Sequence, residues 1–243
     1  MTQLAPNLSL GLALHRQGRL SEAERAYQKV LREQPNQFDA LHMSGVIALQ
    51  TGRMEQGVAL IQQAIEQNDQ IAAAHSNLGK GLRALNRHAK ALASYARAIT
   101  LQPNFPEAYY NLGNGLRDVK HFEEAITSYD KAIALKPDYA EAYFNRGNAL
   151  FDLQRFEAAV ASYHKAIALK PNYAEALYNR GSGLLALNRP AQAYISRGSA
   201  LMLLQRYPEA IANYDQAIAL NPEDAEAHHN RGLALQKVGG LDQ

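Results

Sequence analysis

Apolar and small residues recur along the chain at the three-and-four spacing of one helical face, in runs broken by short turns. Between residues 106 and 139, Tyr109, Leu112, Gly113 and Leu116 share one such face, and Ala125, Ile126, Tyr129, Ala132 and Ile133 share a second. A turn at His121 and Phe122 separates the two runs, and Pro137 stops the second. Pro106 and Glu107 open the unit, with proline in the first turn and an acid near the positive end of the helix dipole. The pattern predicts a pair of amphipathic helices.

The pair repeats. Glycine stands at 11, 45, 79, 113, 147 and 181, on a 34-residue ruler, and then at 198 and 232. A period of this size marks stacked helical repeats, which predicts an all-α, right-handed α-solenoid of antiparallel helix pairs with one long concave surface. Glycine inside a helix costs about 1 kcal/mol against alanine, so its return in register needs a reason. The reason expected is steric: the facing helix comes too close there for a side chain. Small columns at Ala91, Ala125 and Ala159, and at Ala98, Ala132 and Ala166, form the matching approach on the second helix.

These glycine and alanine columns, with Tyr or Phe between them and Pro at the end, resemble the tetratricopeptide repeat. The family's usual first-helix Trp is replaced by Tyr109, Tyr143 and Tyr194, and by Leu41, His75, Leu177 and His228 elsewhere. The resemblance covers units 4–37, 38–71, 72–105, 106–139 and 140–173, a half unit 174–190, a unit 191–224 and a partial unit from 225. Unit 38–71 departs furthest, with Gly57 for Ala and Asp69 for Pro.

The half unit divides the array into 4–190 and a continuation, 191–243, after a register slip of half a period. Glycine moves from 181 to 198, alanine from 193 to 210, and proline from 171 to 222. Arg189-Pro190-Ala191-Gln192-Ala193 reads as the start of a second helix, whereas Tyr194-Ile195-Ser196-Arg197-Gly198 reads as a first helix. The junction falls near Ala193/Tyr194. Bringing two first helices back to a parallel arrangement needs a return of about 21 Å, the length of ~14 helical residues. Residues 187–193 reach ~23 Å only when fully extended. Three readings stand: the helix near 190–204 fills the missing slot and presents the wrong stripe; the C-terminal part leaves the stack in a swap; or the sequence lacks a half-period segment that the real molecule has. Each predicts a disturbance near 185–205. The end at Gly239-Gly240-Leu241-Asp242-Gln243, without a polar capping helix, reads as a fragment with an open apolar end that invites self-association.

Composition narrows the class. The 243 residues are 47% hydrophobic and 20% charged, as in a folded chain. A net charge of +2 supplies no basic track for nucleic acid or anionic membrane. No run reaches the ~20 apolar residues of a membrane span, and Met1–Pro6 carries no signal-peptide pattern. With no cysteine there is no disulfide framework or thiolate metal site, and the expectation is a cytoplasmic protein without a cofactor. Gly79-Lys80-Gly81 and Gly181-Ser182-Gly183 lie inside helices, not in phosphate loops, and adjacent His228 and His229 point ~100° apart. No catalytic constellation stands out, so the chain reads as a non-enzyme.

Function is expected on the first helices. Two positions before the glycine stand Asn77, Asn111, Asn145, Asn179 and Asn230, with Ser9, Met43 and Ser196 as departures. A carboxamide offers both donor and acceptor, which suits the main chain of an extended peptide; ties between neighbouring repeats are the alternative. The asparagines resemble those in the superhelix of O-linked N-acetylglucosamine transferases, which implies contact with a substrate's main chain. Tyr110, Phe144 and Tyr178 precede three of them, and Lys80, Asn114, Asn148, Arg83 and Arg117 extend the face. These residues form a candidate peptide-binding groove, with Phe144 also able to cover the neighbouring repeat. The family's carboxylate clamp does not match, because His42, Ser76, Tyr110 and Phe144 occupy its lysine slot. The reading is a scaffold that binds a protein segment, with two alternatives: the recruiting arm of a longer glycosyltransferase-like enzyme, or a self-assembling scaffold.

Overall fold

A computed structural model describes residues 4–239; Met1–Gln3 and the Gly240–Gln243 end singled out above lie outside the described residues. Fourteen helices and no strand occur among the described residues. They are α1 (Leu4–Arg16), α2 (Leu20–Glu33), α3 (Phe38–Gln50), α4 (Met54–Gln67), α5 (Ala72–Ala84), α6 (His88–Leu101) and α7 (Pro106–Asp118). There follow α8 (Phe122–Leu135), α9 (Ala140–Asp152), α10 (Phe156–Leu169), α11 (Ala174–Ala186), α12 (Pro190–Leu203), α13 (Tyr207–Leu220) and α14 (Ala225–Gly239). They group into two compact units, Met1–Lys120 with α1–α7 and His121–Gln243 with α8–α14. Within each unit the helices stack as in an α-solenoid, each against its sequence neighbours.

Two kinds of turn alternate. After a first helix the chain passes through one residue of left-handed backbone: Gly18, Gly52 and Asn86 in one unit, Gln154 and Asn188 in the other. The Arg155 N–H then reaches back to the Leu150 carbonyl at 2.9 Å, a C-cap that satisfies carbonyls the helix end leaves open. After a second helix the turn is wider and has no left-handed residue, and the next helix starts at the 34-residue step. Phe122 belongs to the first turn of α8 and not to the preceding turn.

The small columns are where neighbours come closest. Ala91 and Ala98 in the first unit, and Ala125, Ala132, Ala159 and Ala166 in the second, are fully buried. A methyl group added at Gly147 would lie 2.6 Å from Tyr163 Cε1, and one at Gly198 would lie 2.5 Å from Tyr214 Cε1. Each of these glycines seats the core tyrosine of the helix that follows it. Those rings, with Tyr27 and Tyr95 in the first unit, are among the largest fully buried side chains.

The backbone of the region 185–205 is regular. α11 ends and α12 begins around Asn188, whose φ of 56° matches the turn at Gln154, and α12 leads to α13 through Gln205 at φ 58°. Both ends of α12 therefore carry the turn that normally follows a first helix. Along α12 two registers coincide. Counted one full period on from α10, Ala193, Ser196, Ala200 and Leu201 stand where Ala159, Ser162, Ala166 and Ile167 do, and the first three are almost fully buried. Counted as a first helix, α12 carries Gly198 against Tyr214 and packs on α13 and α14. One position fits only the second register: Arg197 stands where a second helix places its core tyrosine.

Candidate functional site

In the first unit the first-helix face is built from α3, α5 and α7, which touch one another in succession. Asn77 Nδ2 donates to His42 Nε2 at 3.1 Å. Burial lowers the His42 pKa, which keeps the ring neutral and its lone pair available. Asn111 is buried and donates to Ser76 Oγ at 3.2 Å. Both bonds run from one repeat to the previous one, so these amide nitrogens brace the stack while the Asn77 side chain stays partly exposed. His75 makes a different tie, from its Nε2 to the Asp69 carbonyl at 2.8 Å.

Two clefts open on either side of Lys80. One, of about 280 Å³, lies between α3 and α5 and has an apolar wall of Val46, Leu49 and Met54, with Asn77 and Lys80 at its edge. The other, of about 480 Å³, is polar, with Lys80, Arg83, His88 and Asp118. Lys80 and Ala84 line both, so the clefts adjoin there. Lys80 is exposed, and Arg83 Nε donates to Asp118 Oδ2 at 2.5 Å across α5 and α7. The Nδ1 atom of His88 is buried without a hydrogen-bond partner. Tyr110, Asn114 and Arg117 sit partly buried on α7 of the same face.

In the second unit the face comprises α9 and α11. Asn179 Nδ2 donates to Asn148 Oδ1 at 2.9 Å, and the Tyr163 hydroxyl donates to the same oxygen at 2.9 Å. Asn148 Nδ2 in turn donates to Asn145 Oδ1 at 3.3 Å. Phe144 is covered by rings of its own unit, 4.8 Å from Tyr173 and 6.0 Å from Tyr163, so it packs the repeat instead of offering a free ring. Tyr178 is 48% exposed, with the Arg197 guanidinium 5.0 Å from its ring centre. Asn230, on α14, is partly buried and set apart from Asn145 and Asn179 by the slip.

The ion pairs between helices are not among the sequence expectations. Arginines at the start of second helices reach back to the preceding second helix, Arg87 to Glu55 at 2.8 Å in one unit and Arg155 to Glu123 at 2.5 Å in the other. Arginines on first helices reach an acid on the second helix just before them, Arg146 to Asp130 at 2.6 Å and Arg231 to Asp215 at 2.5 Å. These two pairs of each kind keep the same separation, a regularity the sequence already carries, while Arg53 at the start of α4 reaches Glu24 on α2 at 2.7 Å across a different one. Among the described residues no group of histidines, aspartates and glutamates is placed to hold a metal, and no helix is long and apolar enough to cross a membrane.

Comparison with known proteins agrees with this architecture. Residues 79–115, 116–154, 147–186 and 198–239 match the family model described as TPR repeat, and residues 8–70 match one described as Tetratricopeptide repeat. No curated protein matches the chain by sequence. Among solved structures, MamA is 27% identical with a TM-score of 0.60, over 68% of this chain and 96% of that one. YrrB, a TPR protein with an unusual peptide-binding site, is 18% identical with a TM-score of 0.58, over 85% and 98% of the chains. PilF of Pseudomonas aeruginosa is 17% identical with a TM-score of 0.70, over 94% and 96%. The last two show the fold alone.

Proposed function

This chain belongs to the tetratricopeptide repeat family, and from that premise we propose that it is a non-enzymatic interaction scaffold gripping an extended protein segment on the first-helix face of its first unit. The carrying observation is the pair of adjoining clefts that meet at Lys80. An extended segment spaces successive same-side residues by about 7 Å. One apolar side chain can enter the wall of Val46, Leu49 and Met54 while the next same-side residue meets the cationic cleft. Lys80 selects an acidic residue there, and Asn77 has a carbonyl oxygen left for a main-chain N–H. The other asparagines contribute mainly by holding neighbouring first helices at fixed spacing, which keeps the face preorganised. The extent of the array, 4–190 and 191–243, belongs to the same proposal: both segments are one repeat array joined at α12.

Labelled hexapeptides with leucine and glutamate two positions apart, titrated against the whole chain by fluorescence anisotropy, test the reading. Binding that Lys80→Glu abolishes and that switches preference to Leu-x-Lys peptides is the expected result. Binding indifferent to Lys80→Glu, or none at all, would overturn it.

A second reading, self-association, is favoured by α14. A methyl group at Gly232 would meet nothing within 4 Å, and Leu233 and Leu235 are 42% and 43% exposed. The mass in solution over a hundredfold concentration range separates it from the first.

A further inference from the structure

A cavity of about 540 Å³ lies among α10, α11, α12 and the start of α14, where the slip changes the register. Val160, Leu184 and Ile195 give it an apolar wall, and Arg180 and Arg189 reach it from α11 and from the turn before α12. Their counterparts one repeat earlier are Arg146 and Arg155, and both are ion-paired. Arg146 binds Asp130 at 2.6 Å and Ser162 Oγ at 2.7 Å, and Arg155 binds Glu123 at 2.5 Å.

Neither cavity arginine has such a partner among the described residues. Arg180 keeps the serine bond, from Nε to Ser196 Oγ at 2.9 Å, but His164 occupies the place of Asp130. Glu157, the counterpart of Glu123, lines the cavity without pairing to Arg189. Burial lowers the Arg180 pKa, with the field of Glu226 opposing it, so this guanidinium is partly removed from water with no carboxylate against it. Asp224, which also lines the cavity, is occupied as the cap of α14, accepting from the Ala227 N–H at 3.0 Å.

We propose that this cavity binds a small ligand through a dianionic group, a phosphate or a dicarboxylate, held by Arg180 and Arg189 with Lys165 at its side. The planar forks of two guanidiniums match either group, and the ligand anion takes the place that Asp130 and Glu123 hold in the regular repeat. Glu157, Asp224 and Glu226 also line the cavity and require the rest of the ligand to be neutral or cationic. The site shares no residue with the clefts at Lys80.

The test uses the whole chain, titrated with inorganic phosphate and separately with succinate, at an ionic strength held constant with sodium chloride. Thermal unfolding followed by circular dichroism reads the binding, because a ligand of the folded state raises the midpoint. At least one of the two anions is expected to raise it beyond the chloride control, and the anion that does so identifies the chemical source. Arg180→Gln and Arg189→Gln each weaken the apparent affinity about tenfold, the loss of a charge-assisted pair. Arg155→Gln, the same turn position with its glutamate in place, leaves it unchanged. Arg189 is exposed in a turn, so its variant folds even where Arg180→Gln does not. The proposal is overturned if neither anion exceeds chloride, or if the Arg189→Gln response equals that of the wild type.

Discussion

The pair α9/α10 and the pair α11/α12 lie side by side in one unit, follow the same turn, and differ in what stands behind the glycine. In the regular pair Gly147 seats Tyr163, a ring 1% exposed whose hydroxyl is bound by Asn148. In the irregular pair Gly181 seats the aliphatic stem of Arg197, with Cγ 2.8 Å from where a methyl group would be. The head of that arginine bends out to Ser182 at 3.2 Å, and its Nε is left buried without a partner. The backbone geometry is thus indifferent to which stripe α12 carries. Ala193, Ser196 and Ala200 satisfy both registers, and the mismatch collects in one side chain. An orphaned buried donor costs about 1–3 kcal/mol. The slip is a local defect in packing, and beside it Arg180 and Arg189 lack the carboxylate partners that their counterparts one repeat earlier hold.

Removing the side chains that differ gives the largest contrast. Tyr163→Ala should destabilise by about 3–5 kcal/mol, the range for a buried aromatic. Arg197→Ala should cost far less, because it removes an unsatisfied donor along with its stem. Urea unfolding of both variants reads the difference, and equal losses would erase the distinction drawn between the pairs. A smaller contrast separates occupied from empty glycine seats. Gly147→Ala forces the Tyr163 ring to shift and should cost about 1–3 kcal/mol. Gly232→Ala, where nothing lies within 4 Å, should stabilise α14 by up to ~1 kcal/mol through helix propensity. Thermal midpoints moving in opposite directions are the expected signature.

Much of this is legible in the residues. The 34-residue glycine column places the helices, and the expectation of a close approach at glycine is met by tyrosine rings at Gly11, Gly79, Gly147 and Gly198, by Ile61 at Gly45 and by Arg197 at Gly181, but by nothing at Gly232. The expectation of a disturbance near 185–205 treats the two stripes as exclusive. In the structure Ala193, Ser196 and Ala200 serve either stripe, since serine and alanine fit both a close approach and a buried face. The asparagines show another limit. Donor and acceptor capacity is visible in a sequence, but whether a neighbour uses it depends on the spacing between repeats. Here His42, Ser76 and Asn148 stand within bonding distance. The cavity at Arg180 is not legible, because it arises from a missing partner: His164 is conspicuous only once Asp130 is seen bound to Arg146.

The most direct test of the claim that α12 satisfies both registers except at one residue is Arg197→Tyr, followed by amide hydrogen exchange. The substitution supplies the ring that Gly147 and Gly198 seat in their own repeats and removes the orphaned Nε, for a gain of about 1 kcal/mol. Slower exchange across α11 and α12, with α9 and α10 unchanged, is the predicted result. Faster exchange in α11 and α12 would contradict it, and would mean that α12 meets α11 in a register of its own.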